Sequence, residues 1–322
     1  MPFIYTEIHE ERQTLCCPYW NTTNLKDSDD LLANWQSDKA EEIRKSMLDG
    51  TWKNCTEFCP HFDELLKTGK STNPHIKPIE TFDRTQYNKP KRIKFCFDSA
   101  CNLKCPSCRG VLIPNTDIRT IKSKKFFKNI EKSFADELEE IFTSGTGDPF
   151  YSKPTREFLQ TITKEQYPNL KKIILHTNGI LWTPKVWNMM SNIHELVTQC
   201  EISIDAASKE SYERIRVNGK WETLIENLHF INTIKNIDLI HLSFVAQKNN
   251  FTEMEDFVIL MRKIFKGRNI NIVFYKIADW GVMSQEEYNK NKIWDESHPD
   301  YKLFRKEVEK LKKYKNITYN FH

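Results

Sequence analysis

Glycine is scarce in this chain, 9 residues of 322 beside 13 prolines, which excludes a collagen-like or low-complexity polymer. No apolar run approaches the ~20 residues of a membrane span. The opening MPFIYTEIHEERQ has acidic side chains where a signal peptide needs positive charge followed by an apolar stretch. A cytoplasmic protein with no membrane partner is therefore expected. There is no internal repeat. What the chain does have is apolar material, 39% hydrophobic with Leu, Ile, Val and Phe runs along its whole length, enough to bury a substantial core.

A strong net charge is also missing: 48 Lys and Arg against 44 Asp and Glu leave +4. The distribution is uneven, with 7 basic and 13 acidic residues in 1–69 and 15 basic and 5 acidic residues in 70–132. A basic stretch is a candidate polyanion surface. Part of it, however, Lys122 to Lys128, falls on an expected helix whose other face is apolar. A solvated helix face is the better reading, and nucleic acid is not an expected partner. The surplus would also offset an anionic thiolate cluster.

Six β-type runs alternate with helical patterns: Arg92–Phe97, Glu140–Ser144, Lys172–His176, Cys200–Ile204, Ile240–Val245 and Asn271–Tyr275. Phe127, Ile130, Phe134, Leu138 and Ile141 follow helical spacing, and another helix is expected near Leu224–Ile234. Repeated βα units favour a parallel sheet, with functional loops at the C-terminal ends of the strands. The expected organisation is a Cys-rich module over 1–69, a Pro-containing linker over 70–91, a β/α core over 92–283 and a tail over 284–322 with a charged helix around Tyr301–Tyr314.

Nine cysteines in a reducing compartment are available to bind metal or react. Three of them, Cys101, Cys105 and Cys108, lie within eight residues just after the first core strand. Structural zinc sites take four protein ligands, whereas three thiolates on one loop can each bind an iron of a cubane and leave the fourth iron open. A zinc knuckle completed by a distant residue such as Cys96 is the plainer alternative.

This CxxxCxxC loop resembles that of the radical S-adenosylmethionine (radical SAM) superfamily. The resemblance implies an α/β fold, a partial (β/α)6 TIM-like barrel, here preceded by the small Cys-rich module. It implies a 4Fe-4S cluster on Cys101, Cys105 and Cys108, with SAM on the open iron. Reductive cleavage of SAM would then give a 5′-deoxyadenosyl radical that takes a hydrogen from substrate. No side-chain base is strong enough to remove an unactivated C–H proton, so a radical generator suits such a step.

Other motifs match the family in order. Gly145, Thr146, Gly147 and Asp148 resemble the glycine-rich turn that receives SAM's amino group, with Thr146 replacing a glycine and Asp148 a glutamate. By the same resemblance Asn178, Ser203 and Asp205 lie at strand ends beside the ribose and methionine portions. Arg216 and Gln247 are further SAM candidates. Ser107 stands where an aromatic residue often packs by the adenine, so its backbone is left to make that contact. Taken singly, the turn is an ordinary strand-to-helix loop, Asn178 and Asp205 are turn or cap residues, and Arg216 is a helix-end residue.

Cys16, Cys17, Cys55 and Cys59 form a second group. With CCPxW, a Trp-containing helix and CxxxCP in that order, the segment resembles the auxiliary-cluster modules called SPASM or twitch domains. This implies an auxiliary iron–sulfur cluster, with structural zinc as the alternative. Relatives carry a further cysteine before a Pro-Phe pair where this chain reads Met1-Pro2-Phe3. Cys17, Cys55 and Cys59 are then the firmest ligands, and Cys16, Cys96 or an outside group is the fourth. Cys200, at a strand start, reads as a buried small hydrophobe. SPASM-type relatives often modify peptides, so a peptide or natural-product substrate is expected, with a sugar or nucleotide-sugar second, and flavodoxin or ferredoxin as the reducing partner. The competing class is a non-catalytic zinc module that binds nucleic acid.

Overall fold

A computed structural model describes residues 3–10, 12–17, 25, 30–56 and 88–321. Among these, nine strands are mostly parallel, interleaved with helices, and the fold is α/β as expected. Two compact units divide the chain, the first comprising Met1–Asp98, Asp117–Thr146 and Ile162–Ile173 and the second the remainder.

In the first unit, β1 (Tyr5–His9) pairs antiparallel with the two-residue β2 (Gln13–Thr14) and parallel with β3 (Arg92–Cys96). Two short helices, α1 (Leu31–Trp35) and α2 (Asp38–Leu48), begin at Asp30 and Ser37, whose side chains accept the backbone N–H groups of Ala33 and Ala40. Helix α3 (Asp117–Phe134) follows, then β4 (Glu140–Thr143), parallel to β3. Phe127, Ile130 and Phe134 form the buried stripe of α3, and the Phe127 ring packs edge-on to Phe95 at 5.3 Å and Phe97 at 5.1 Å. Each such buried ring contributes roughly 1.5–3 kcal/mol. The helix stops at Phe134. Leu138 lies in the turn and Ile141 in β4, so the five-residue spacing expected as one helical stripe runs beyond its helix into the next strand. Lys122, Lys124, Lys125 and Lys128 are exposed.

The second unit carries α4 (Lys153–Thr161), then β5 (Lys172–Thr177, of which Ile174 onward belongs here), α5 (Pro184–Asn188), β6 (Gln199–Ser203), α6 (Lys209–Ile215), α7 (Trp221–Thr233), β7 (Leu239–Ala246), α8 (Met254–Ile264), β8 (Ile270–Lys276), α9 (Gln285–Asn291), α10 (Tyr301–Leu311) and β9 (Ile317–Tyr319). Strands β5 to β9 pair in sequence order and in parallel. Side chains alternate between the faces of a strand. One face of β6 to β8 is apolar, with Cys200, Ile202, Ile240, Leu242, Phe244, Ile272 and Phe274 buried, and α8 packs against it through Phe257 and Phe244 at 5.1 Å. The other face is polar. There the register sets His176, Glu201, His241 and Asn271 side by side across β5, β6, β7 and β8.

Candidate active site

The cysteine loop of the second unit is closed by its own backbone. Cys101 N–H donates to Ile113 O at 3.0 Å, while Cys108, Arg109 and Gly110 all donate to Cys105 O within 3.1 Å. These bonds gather three thiols on one short turn. Each sulfur has a polar donor directed at it. Cys101 Sγ accepts from Leu103 N at 3.4 Å and Asn178 Nδ2 at 3.7 Å, Cys108 Sγ from Arg109 at 3.4 Å and Cys105 Sγ from Arg216 at 3.9 Å.

Burial pushes the Cys101 thiol up to about 12, with the Asp148 carboxylate adding to it, and burial raises Cys105 against the pull of Arg216. Such thiols become thiolates only when a metal replaces the proton. N–H and guanidinium donors beside the sulfurs then stabilise the anionic metal–thiolate set. The donor set thus fits an iron–sulfur cluster.

Asp148 is completely buried, and all its acceptor capacity faces the protein. Oδ2 accepts Thr177 Oγ1 at 2.8 Å and Asn178 N at 2.9 Å, and Oδ1 accepts Phe150 N at 3.0 Å and Tyr151 N at 3.3 Å. Burial pushes its carboxyl up despite these four donors. The residue expected at SAM's amino group therefore ties the loop after β4 to the end of β5 and so positions Asn178. In the first unit, Thr146 Oγ1 donates to Cys96 O and Asp98 O, both at 3.2 Å. Gly145 is exposed, and Thr146 and Gly147 are half-buried.

Asp205 sits at the end of β6 with φ of 67°, a left-handed conformation unusual for a residue with a side chain. Its Oδ2 pairs with Arg216 at 2.7 Å, and its Oδ1 accepts Val245 N at 2.8 Å. Arg216 thus bridges the Asp205 carboxylate and the Cys105 sulfur. Burial raises the Asp205 carboxyl, and Arg216 opposes that shift. Arg216 Nε is buried without a partner. Ser203 Oγ lies 3.1 Å from His176 Nε2 and 3.0 Å from Ser243 Oγ, on the polar sheet face.

A cavity of about 210 Å³ is lined by Pro106 and Ser107 of the cysteine loop, Arg214, Ile215, Gln247, Asn249, Met283, Glu287 and Asn291. Gln247 Nε2 is buried without a partner. Whole-ligand pockets occupy about 300–1,000 Å³, so this cavity is smaller than one that encloses a whole ligand. Ser107 and Gln247, two of the expected SAM residues, share it.

Several residues around the site carry no sequence motif. Arg109 follows the third cysteine directly, and that adjacency was the available signal. Asn250 is fully buried and donates to Asp205 O at 2.8 Å and Val245 O at 2.9 Å. Glu253 accepts Ala207 N at 2.8 Å and Ser208 Oγ at 2.9 Å. These two residues hold the turns after β6 and β7. Only packing reveals them.

In the first unit, Cys16 is buried, Cys17 and Cys55 are half-buried, and Cys59 lies outside the described residues. In the second unit Cys200 is fully buried.

The family model described as the Radical SAM superfamily matches residues 97–260, half of the chain. The chain belongs to the radical SAM superfamily and is an enzyme of that class. Membership implies a 4Fe-4S cluster and SAM as its cofactors. A solved structure of TYW1 with a lysine-pyruvate adduct bound is similar at 18% identity and a TM-score of 0.42, over 77% of this chain and 84% of that one. No curated protein matches. Among the described residues, no helix is long and apolar enough to cross a membrane.

Proposed function

We propose that this enzyme cleaves SAM reductively and abstracts a hydrogen atom from a peptide or natural-product substrate, in a cytoplasmic setting with flavodoxin or ferredoxin as electron donor. The observation that carries the reading is the turn bearing Cys101, Cys105 and Cys108, each sulfur with its own N–H or guanidinium donor. When bound at these cysteines, a 4Fe-4S cluster would supply the single electron needed to cleave the S–C5′ bond of SAM, leaving methionine, 5′-deoxyadenosine and a substrate radical once the hydrogen is taken. The protein's own residues divide the remaining work. Arg216 and Arg109 offset thiolate charge, Asp148 fixes Asn178 beside Cys101, and Ser107 and Gln247 offer polar groups to the nucleotide.

The reading includes an auxiliary iron–sulfur cluster held by Cys16, Cys17, Cys55 and Cys59, in a module of SPASM or twitch type. Its support is the adjacent pair Cys16 and Cys17, which follows β2 after Leu15, with Cys16 buried and Cys17 half-buried.

Anaerobic reconstitution followed by reduction with dithionite in the presence of SAM tests the reaction. 5′-Deoxyadenosine is expected, and replacing Cys101, Cys105 and Cys108 with Ala should abolish it. Full SAM cleavage by that triple variant would overturn the assignment. Deuterium passing into 5′-deoxyadenosine from a labelled synthetic peptide, and not from a labelled sugar, supports the substrate class; the reverse refutes it.

A further inference from the structure

The first unit contains a second donor group that the radical chemistry does not use. Glu7 and His9 are two residues apart on β1 and so share a face of the strand. His9 pairs in register with Cys96 of β3, which brings the thiol onto that face. Glu7 and Cys96 are buried, and His9 is largely so. Glu7 Oε2 lies 3.2 Å from His9 Nε2 and 3.8 Å from Cys96 Sγ, and the three ligand atoms all fall within 4.8 Å of one another.

The Glu7–His9 and Glu7–Cys96 separations, which the side chains span as hydrogen bonds, are close to two edges of a tetrahedron around a single ion. Zinc–oxygen and zinc–nitrogen bonds of about 2.0 Å and a zinc–sulfur bond of about 2.3 Å give ligand-to-ligand edges of roughly 3.3 Å for oxygen to nitrogen and 3.5 Å for oxygen to sulfur. Ligands to separate irons of a cubane would stand further apart. We propose that Glu7, His9 and Cys96 form a mononuclear site for a divalent ion of the zinc class, with three protein ligands and a fourth position open to solvent or substrate. The mixed O, N and S donor set suits zinc, whereas magnesium and calcium prefer oxygen alone.

Two surrounding features fit a built site. Tyr5 donates its hydroxyl to the other carboxylate oxygen of Glu7 at 2.6 Å, the kind of outer contact that fixes a ligand's orientation. At position 145 the chain has no side chain, and a Cβ there would overlap Cys96 Sγ and crowd Lys94 Cε. Lys94 is the nearby cation acting on both Glu7 and Cys96, and its ammonium lies over the Phe142 ring at 5.2 Å. The inference does not depend on the auxiliary cluster.

Metal analysis of the full-length protein, purified anaerobically and titrated with zinc against a competing chelator, tests it. We expect one zinc per chain, kept when Cys101, Cys105 and Cys108 are replaced by Ala, lost in His9→Ala and in Cys96→Ser, and held about tenfold more weakly in Tyr5→Phe. Cobalt substitution should give a thiolate charge-transfer band that Cys96→Ser removes. Circular dichroism establishes that each variant is folded, and His9→Ala, at a partly exposed position, provides the test should Cys96→Ser fail to fold. Zinc content equal in wild type and His9→Ala, or no zinc bound by wild type, would overturn the proposal. So would loss of iron and sulfide in place of zinc, since the ligands would then belong to an auxiliary cluster.

Discussion

Replacing Arg216 with Met tests how the site balances charge. The Asp205 and Arg216 side chains are 3% and 13% exposed and 2.7 Å apart. At an effective dielectric of about 20 the gross attraction is about 6 kcal/mol, much of it offset by desolvation. Removing one member of such a pair leaves a buried charge uncompensated and costs about 3–5 kcal/mol. At roughly 2–4 °C per kcal/mol, the thermal midpoint of Arg216→Met should fall by about 6–20 °C. The pH dependence has a definite sign. Without its cation, Asp205 keeps only the Val245 N–H donor against burial, so its folded pKa, already raised, moves further above the unfolded value of about 3.9. The deficit of the variant should thus be small below pH ~4 and grow as pH rises toward neutrality. A second substitution, Asp205→Asn, keeps an acceptor for Val245 N and removes the stranded charge, so the double variant should recover at least half of the loss. Urea melts across pH, with all three proteins in one buffer series, measure this. A single variant within about 1 kcal/mol of wild type, or a double variant no more stable than the single, would refute the reasoning.

Asp148→Asn presents an amide NH2 to donors that now meet a carboxylate oxygen, and should cost about 2–4 kcal/mol and lower SAM cleavage as Asn178 loses its anchor; an unchanged midpoint in thermal denaturation would contradict this. Hydrogen bonds from Lys91 and Lys171 hold the partly exposed Glu139 carboxyl below its ordinary range. Its stabilisation is therefore present above the unfolded pKa of about 4.3 and lost as pH falls through the folded value. Glu139→Gln should be less stable by about 0.5 kcal/mol at neutral pH and equal to wild type in acid, as read from urea midpoints.

All six strands expected from the sequence occur, because fully or half-buried parallel strands need β-branched and aromatic runs that stand out from amphipathic helices. Strands β1, β2 and β9 were not legible. They are five, two and three residues long, and the pairing of β1 with β3, β2 with β1 and β9 with β8 explains them better than their own composition does. In the site, the gathering of Cys101, Cys105 and Cys108 on one turn was legible because the three thiols lie within eight residues. The inward orientation of Asp148, the bond from Asn250 to Asp205 O and the proximity of Glu7 to Cys96 were not, since each joins residues 30 or more positions apart. The nearest sequence hint to the last was that Cys96 adjoins the cysteine loop.

Two residues with side chains, Ser144 and Asp205, leave their strands in the left-handed conformation, both at φ of 67°. That conformation disfavours residues with a Cβ by roughly 1–2 kcal/mol, less so for Asp and Asn, whose short polar side chains bond locally. A selection for heat tolerance should nonetheless reject glycine at 205, where relief of the backbone would strip Arg216 of its counter-ion. The ion pair at stake outweighs the backbone relief, so thermal robustness and charge control favour the same carboxylate, and a library randomised at 205 should return aspartate.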